Sequence, residues 1–198
     1  MIFEFKNFIP VVDESAYVHP QATVIGNVTI GKNVYIGPHA VIRGDWGEII
    51  IKDGCNVQEN CTVHMFPGTR VVFEEGAHVG HGAVIHGAHL GRNCMIGMNS
   101  VIMDNADVGE DSIIGAMAFV KANSIIPKRS LVVGNPAKVI KLVTDEMIAW
   151  KTKGTKLYQS LPADMHNTLK EVTPLRSPQI NKPSQESLFA TWNEIKSS

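Results

Sequence analysis

Branched apolar residues recur every six positions along most of the chain, and each is usually followed four positions later by a small residue. The branched residues fall into three runs: Val18, Val24, Ile30, Ile36 and Ile42; Ile51, Val57 and Val63; and Leu90, Ile96, Ile102, Val108, Ile114 and Val120. A period of six fits neither an α-helix nor an isolated strand. It fits a β-helix in which each hexad forms one flat side and one corner, and three hexads close a coil. The sequence therefore predicts an all-β fold, a parallel β-helix of hexapeptide repeats.

Two insertions interrupt the six-residue spacing. Ile42 and Ile51 are nine residues apart, which places about three extra residues around 44–48. Val63 and Phe73 are ten residues apart, which places about four extra residues around 66–70. A one-residue deletion then restores the spacing at Leu90. Because loops that interrupt a solenoid commonly build its binding face, we expect the two insertions to lie near the functional site.

The repeat gives way after about residue 126, and a helical pattern follows. Thr144 or Asp145 can cap a helix that continues to about Leu161 with a partly apolar face. We therefore predict a β-helix domain over 1–140, a C-terminal α-helix packed on it within 141–172, and an extended tail over 173–198. Phe189 and Trp192 in that tail are expected to dock on the rest of the protein.

Composition and charge narrow the classes of function. The chain has 198 residues with 18 Lys and Arg against 19 Asp and Glu, a formal net charge of −1, which argues against a nucleic-acid partner. It has no run of 18 apolar residues, so no membrane association is expected. Its three cysteines make no disulfide framework, and a cytoplasmic location is expected.

Two of the eight histidines occupy equivalent slots of the repeat. His64 follows Val63 and His86 follows Ile85, and the distance between the two histidines is one coil of three hexads lengthened by the second insertion. We expect them to stack one coil apart, with their backbones about 5 Å from each other, so that they can share a metal ion. His81 lies five residues before His86 and cannot easily reach the same ion from the same chain. A neighbouring copy could supply it, so the spacing predicts a homotrimer with metal sites at the subunit interfaces.

Further motifs accompany these histidines. They are the run Arg43-Gly44-Asp45, the pair Gln58-Glu59, and Tyr158. Together with His64, His81 and His86, they resemble the γ-class carbonic anhydrases of the hexapeptide-repeat family. The resemblance implies a left-handed β-helix, a metal held by the three histidines, and an Arg43–Asp45 ion pair across the subunit interface. It also implies that Gln58 and Glu59 lie beside the metal-bound water and that Tyr158 reaches the active site from the C-terminal helix.

Within that family, the sequence is most similar to the PaaY and CaiE groups of phenylacetate and carnitine metabolism. The supporting runs are Val63-His-Met-Phe66, Gly97-Met-Asn-Ser100, Gly134-Asn-Pro-Ala137 and Thr173-Pro-Leu-Arg176. The segment over 149–155 leans toward PaaY. This resemblance implies an acyl-CoA substrate and hydrolysis of its thioester, with side products of phenylacetate catabolism as the source.

The expected chemistry follows from the three imidazoles. With a water molecule they form an open zinc site, which lowers the pKa of that water to about 7 and supplies hydroxide at neutral pH. Zn²⁺ is the expected cofactor, and imidazole ligands also suit Fe²⁺ or Co²⁺. The main hypothesis is a metal-dependent thioester hydrolase in which Gln58 orients the hydroxide and Glu59 accepts a proton.

Other functions stay open at this point. The same site could hydrate CO₂, although the insertion over 66–70 has no acid to shuttle protons and so disfavours rapid hydration. A hexapeptide-repeat acyltransferase would use one histidine as a general base without a metal. A CaiE-like protein of carnitine metabolism and a non-enzymatic assembly scaffold are the remaining alternatives. His78 and His89 are expected to be surface residues.

Overall fold

The computed structural model describes residues 1–184 and 188–197, which form short strands and two helices. The helices are α1 (Asp145–Thr168) and α2 (Trp192–Ser197). The strands are β1 (Ile2–Phe3), β2 (Val11–Val12), β3 (Tyr17–Val18), β4 (Thr23–Ile30), β5 (Tyr35–Ile36), β6 (Val41–Ile51), β7 (Asn56–Val57), β8 (Thr62–His64), β9 (Arg70–Phe73), β10 (His78–Val79), β11 (Val84–His86), β12 (His89–Leu90), β13 (Met95–Ile96), β14 (Val101–Ile102), β15 (Asp107–Val108), β16 (Ile113–Ile114), β17 (Phe119–Val120), β18 (Ile125–Ile126), β19 (Ser130–Val133) and β20 (Lys138–Leu142). Within the described ranges, neither helix combines the length and the apolar character needed to cross a membrane.

The strands stack coil upon coil into a parallel β-helix. One face is a single sheet in the order β20-β19-β16-β13-β10-β7-β5-β3. The long strands β4 and β6 join the other two faces into a second sheet, since β6 pairs with β8 through its first residues and with β9 through its last. These pairings are parallel except for β20, which runs antiparallel to β19 at the end of the stack. The fold predicted from the six-residue period is confirmed.

The strand register confirms the insertions and the deletion. Ile36 pairs with Val57, which lies three positions further along the chain than a coil of three hexads would place it, as the first insertion requires. His64 pairs with His86, which lies four positions further along than three hexads, as the second insertion requires. Val79 pairs with Ile96, one position short of three hexads, as the single deletion requires. The first insertion lengthens strand β6, whereas the second forms a turn between β8 and β9.

The interior is filled as the repeat predicts. The branched residues, apart from the partly buried Val18, and the apolar small residues at the corners belong to one buried cluster, which includes the free cysteines Cys55, Cys61 and Cys94. The corners also recur every six residues, and at Asn93, Asn99 and Asn105 the φ angles are 51°, 54° and 57°. Asparagine tolerates this left-handed backbone better than most residues, which explains its repeated use there.

Helix α1 begins as predicted and ends later. The Thr144 hydroxyl accepts a hydrogen bond from the Met147 backbone N–H, which caps the helix. The helix then continues through Pro162 to Thr168, beyond the expected end near Leu161. Tertiary contact favours the extra turns, because the His166 ring donates from Nε2 to the Ala16 carbonyl oxygen at 3.0 Å.

The described part of the C-terminal tail folds back onto α1. The Trp150 ring lies 5.5 Å from the Phe189 ring and 5.7 Å from the Trp192 ring, centroid to centroid. The Trp150 indole N–H donates to the Ala190 carbonyl oxygen at 3.0 Å. Docking of Phe189 and Trp192 is therefore confirmed, and the short helix α2 forms inside the segment that was expected to be extended. The remainder of that prediction includes residues 185–187 and 198, which lie outside the described residues.

Candidate active site

His64 and His86 lie side by side on neighbouring coils. His64 ends β8 and His86 ends β11, and the two residues are direct partners in the parallel register. The centroids of their rings are 5.4 Å apart. The stacking predicted from their spacing is confirmed, since the two imidazoles lie next to each other on adjacent coils.

His86 is oriented by a carboxylate from the next coil. Its Nδ1–H donates to Asp104 Oδ1 at 2.7 Å. An ionised carboxylate can only accept, so this contact places the ring proton on Nδ1 and leaves the Nε2 lone pair for a ligand. A carboxylate behind the ring is the usual support of a metal-binding histidine.

His64 contacts Arg43 and Asp45 through its Nε2 nitrogen. Its Nε2 lies 2.9 Å from Asp45 Oδ1 and 3.2 Å from the Arg43 guanidinium, and only one of these can be a hydrogen bond at a time, because the nitrogen either donates or accepts. Burial lowers the pKa of His64, which favours the neutral ring that ligation needs. Arg43 and Asp45 also pair with each other at 3.3 Å within one chain, and their role across a subunit interface stays a prediction.

His81 lies in the turn between β10 and β11 and has a carboxylate partner of its own. Its Nδ1–H donates to Glu59 Oε2 at 2.5 Å, and the other oxygen of Glu59 accepts from the Tyr35 hydroxyl at 3.0 Å. Burial raises the pKa of Glu59. Hydrogen bonds from its own backbone N–H, from Tyr35 and from His81 lower the pKa by more than burial raises it, so the net shift is downward. Glu59 is therefore an anion that fixes the ring of His81 and leaves Nε2 as the outward lone pair.

Gln58 belongs to a buried polar cluster under α1. Its amide nitrogen donates to Asn56 Oδ1 at 2.9 Å and to His78 Nε2 at 2.8 Å. The ring of His78 packs edge-on against Tyr158 of α1 at 5.1 Å. The expectation that His78 is a surface residue holds only in part, because α1 packs against it and leaves it half-buried, and burial lowers its pKa to about 3. The side chain of His89, by contrast, is 43% exposed and pairs with Asp107.

An apolar pocket of about 320 Å³ opens beside His81. Gln58, His78 and His81 form its polar edge. The rest of its wall is largely apolar, with Met95, Met98, Trp150 and Tyr158 among the lining residues. Tyr158 and Trp150 come from α1, so the position of that helix determines the shape of the pocket.

The two insertions place aromatic rings against the histidine pair. Trp46, from the first insertion, lies 5.2 Å from the His64 ring, and Phe66, from the second, lies 5.0 Å from the His86 ring. Both side chains are about half exposed. The expectation that the insertions border the site holds for the histidine pair, and the aromatic side chains themselves are an additional feature that the repeat analysis did not identify.

One chain brings together only part of the predicted metal site. Across residues 1–184 and 188–197, no three His, Cys, Asp or Glu side chains are grouped so that they could hold a metal ion. The structure pairs His64 with His86 and places His81 with Glu59 at the apolar pocket. The metal roles of these histidines, and the active-site roles of Gln58, Glu59 and Tyr158, stay predictions.

Two site residues were missed by sequence analysis, for different reasons. Asp104 lies 18 residues after His86, one position beyond the equivalent slot of the next coil, because Ile85 pairs with Ile102 after the single deletion, so counting along the repeat does not identify it. Tyr35 reaches Glu59 from the previous coil across an insertion, and side-chain length decides that contact, so spacing alone gives no signal for it.

Lys151 holds α1 against the β-helix. Its side chain is buried, and its ammonium group donates to the carbonyl oxygens of Gly76 at 3.3 Å and Asn93 at 2.8 Å and to Asn93 Oδ1 at 2.5 Å. Burial lowers the pKa of Lys151 to about 8. Since Trp150 is adjacent in sequence and Tyr158 is on the same helix, this anchor helps to place two walls of the pocket.

Replacing Lys151 with methionine is expected to destabilise the protein by about 2 kcal/mol, because the buried ammonium group's hydrogen bonds to Gly76 and Asn93 are lost. The measurement is the thermal unfolding midpoint at fixed protein concentration. Lys153→Met is the matched control, since Lys153 lies on the same helix and is exposed, and its effect should stay within about 0.5 kcal/mol. Equal midpoints for the two variants would contradict the anchoring role.

Comparison with known proteins identifies the family. A model described as bacterial transferase hexapeptide (six repeats) matches residues 10–44 and 87–122. The chain is 46% identical over 181 residues to the carnitine operon protein CaiE of Escherichia coli (strain K12 / DH10B), covering 91% of this chain and 92% of that protein. The chain belongs to the CaiE family of hexapeptide-repeat proteins. A second CaiE relative, from Proteus sp. (strain LE138), is 44% identical over 182 residues, covering 92% of each chain.

Two solved structures are similar to this chain and agree with the hexapeptide-repeat fold. A putative acetyltransferase from Bacillus cereus superposes with a TM-score of 0.84 at 34% identity, covering 85% of this chain and 98% of that one. A hexapeptide transferase family protein from Anaplasma phagocytophilum superposes with a TM-score of 0.80 at 32% identity, covering 83% and 97%. The expected leaning toward PaaY is not supported, because the two curated relatives described above are CaiE proteins. The names of these relatives mention transferases and the carnitine operon, and they mention neither zinc nor thioester hydrolysis.

Proposed function

We propose that this protein is a metal-dependent hydrolase of acyl-CoA thioesters, assembled as a homotrimer with its sites between neighbouring subunits. The observation that carries the proposal is the register pairing of His64 with His86, with their rings 5.4 Å apart. His81 would come from the adjacent subunit, because it is separate from this pair within one chain. The resemblance to γ-class carbonic anhydrases, in which matching residues bind a metal between subunits, supports the same arrangement.

The donor set fits a divalent transition metal. His86 and His81 each donate Nδ1–H to a carboxylate and keep Nε2 as a lone pair, which is the support that metal-binding imidazoles usually have. His64 would use Nε2 only by giving up its contact with Asp45. When bound, a zinc ion would activate water near neutral pH and polarise a thioester carbonyl.

The chain's own side chains would orient the substrate and the water. The amide nitrogen of Gln58 is held by Asn56 and His78, which fixes the amide plane and leaves Oε1 to accept a hydrogen bond from the reacting water. Tyr158, whose pKa is raised by burial, would keep its proton and could donate to the thioester. The apolar pocket beside His81 supports an uncharged aryl or short alkyl acyl group.

A second candidate is acyl transfer without a metal. It is favoured by one specific feature, the His81–Glu59 pair at the edge of the pocket, which has the arrangement of a histidine general base oriented by a carboxylate. In that reaction His81 Nε2 would take the proton of an acceptor hydroxyl or amine as that group attacks the thioester carbonyl carbon, and would return the proton to the CoA thiolate as the C–S bond breaks. The transferase names of related proteins favour this candidate as well.

Metal removal distinguishes the two candidates. We expect exhaustive chelation to lower the rate of CoA release from aryl- and alkyl-acyl thioesters by about a hundredfold or more, and added Zn²⁺ to restore it, because the reaction with water depends on the metal. The rate is followed as free thiol, with and without an acceptor amine, and CO₂ hydration is measured on the same samples. Acyl transfer that persists at full rate in the chelated protein would refute the hydrolase and support the second candidate.

A further inference from the structure

A tyrosine, a glutamate and a histidine form a continuous hydrogen-bonded chain beside the pocket. The Tyr35 hydroxyl donates to Glu59 Oε1 at 3.0 Å, and His81 Nδ1–H donates to Glu59 Oε2 at 2.5 Å. Both oxygens of the carboxylate are thereby engaged, one from each side. The orientation of the His81 ring depends on where Glu59 is held, and Glu59 is held in turn by Tyr35.

The tyrosine end of this chain is rigid. Tyr35 lies in β5 with only 3% of its surface exposed. Its ring stacks on Tyr17 at 6.4 Å with an interplanar angle of 10°, and it contacts the Tyr158 ring at 6.1 Å. A ring packed on two sides has few alternative rotamers, so its hydroxyl is a fixed point for hydrogen bonding.

The glutamate and the histidine are less constrained by packing. The side chains of His81 and Glu59 are 46% and 31% exposed, respectively. A glutamate has three rotatable side-chain bonds, so contacts with the imidazole and with its own backbone N–H do not tie the carboxylate to another part of the fold. A hydrogen bond from the buried Tyr35 hydroxyl does so, and the carboxylate then fixes both the tautomer and the direction of His81 Nε2.

We infer that Tyr35 is a positioning residue for His81, acting through Glu59, and that it prepares the imidazole to bind the metal; the inference rests on the proposed function. Tyr35 does not touch the metal or the substrate in this assignment. It lowers the cost of ordering His81, and loss of such a supporting contact typically weakens metal affinity ten- to a hundredfold.

Tyr35→Phe tests this assignment, because it removes the hydroxyl and keeps the stacked ring. We expect the Zn²⁺ dissociation constant of the assembled protein, measured by competition with a chromophoric chelator, to rise about tenfold. In metal-free protein, ¹⁵N chemical shifts of the His81 ring should change from a single Nδ1–H tautomer to a mixture of tautomers. A merely structural role for Tyr35 would alter neither property.

Tyr17→Phe is the matched control. Tyr17 is the register partner of Tyr35 and shares its stack, and in the described part of the chain its hydroxyl makes no hydrogen bond to Glu59. Its Zn²⁺ affinity and its His81 tautomer should equal those of wild type. If Tyr35→Phe lowers stability more than this control does, Glu59→Gln tests the same link without touching the stack, since an amide offers one accepting oxygen in place of two.

The double variant decides whether Tyr35 acts through Glu59. Because Tyr35 has no other proposed route to His81, adding Tyr35→Phe to Glu59→Gln should weaken Zn²⁺ binding by less than twofold further. Unchanged affinity and tautomer in Tyr35→Phe, or full additivity in the double variant, would overturn the inference. Failure of wild type to bind Zn²⁺ would instead defeat the proposed function, and the His81 tautomer in metal-free protein would still test the role of Tyr35.

Discussion

Replacing His86 with alanine is expected to lower both zinc content and the rate of thioester hydrolysis by two to three orders of magnitude, while the β-helix stays folded. Loss of an outer-shell partner typically costs ten- to a hundredfold in affinity or activity, and a direct ligand should cost more. The fold should survive because the His86 side chain projects from the end of β11, whereas its neighbour Ile85 is the residue buried in the interior. Zinc content, CoA release and circular dichroism are measured on the same preparation.

His89→Ala is the matched control for this variant. His89 also donates Nδ1–H to an aspartate of the next coil, Asp107, at 2.7 Å, so both variants remove an imidazole with the same kind of partner. It lies on β12 and is not part of the His64–His86 pair. We expect it to keep zinc and activity. Full activity in the His86 variant, or equal losses in both variants, would contradict the assignment of the metal site. Should His86→Ala aggregate, His86→Gln retains bulk and polarity and gives the same comparison.

The six-residue spacing was sufficient to predict the fold because a solenoid converts sequence distance directly into register. Each coil occupies three hexads, so an insertion or a deletion changes the separation of paired residues by its own length. The pairs Ile36–Val57 and His64–His86 show this directly. The same arithmetic correctly placed the two histidines together, since both follow an interior residue of equivalent strands.

The rest of the candidate site depends on features that a period does not encode. His78 was expected at the surface, and the docking of α1 against it leaves it half-buried. That docking is set by long-range contacts such as Lys151 with Asn93, which lie 58 residues apart in sequence. The Tyr35–Glu59–His81 chain likewise depends on the lengths and rotamers of three side chains on different coils. Periodicity thus predicts which backbones are neighbours, and side-chain contacts must be obtained from the structure.

Gly91→Ala is expected to destabilise the protein by about 3 kcal/mol or more, through a clash between coils. Gly91 follows the interior residue Leu90, and its N–H donates to the Val108 carbonyl oxygen of the next coil at 2.7 Å. A Cβ at this position would lie 2.6 Å from both that oxygen and the Glu110 backbone nitrogen. These atoms belong to the backbone ladder and cannot rotate away, so the coils would have to separate and lose hydrogen bonds. For a chain of this size, the thermal unfolding midpoint should fall by about 10 °C.

Gly68→Ala separates this steric effect from the conformational freedom of glycine. Gly68 has a φ of +76°, and a Cβ there would meet nothing within 4 Å among the described residues, so its cost should be limited to about 1 kcal/mol for the left-handed backbone. If the unfolding midpoint of the Gly91 variant were as high as that of the Gly68 variant, the coils could separate at this point without a loss of stability. A much lower midpoint would instead establish that glycine after an interior residue is required by the close approach of successive coils, since Gly91 itself does not need the left-handed conformation.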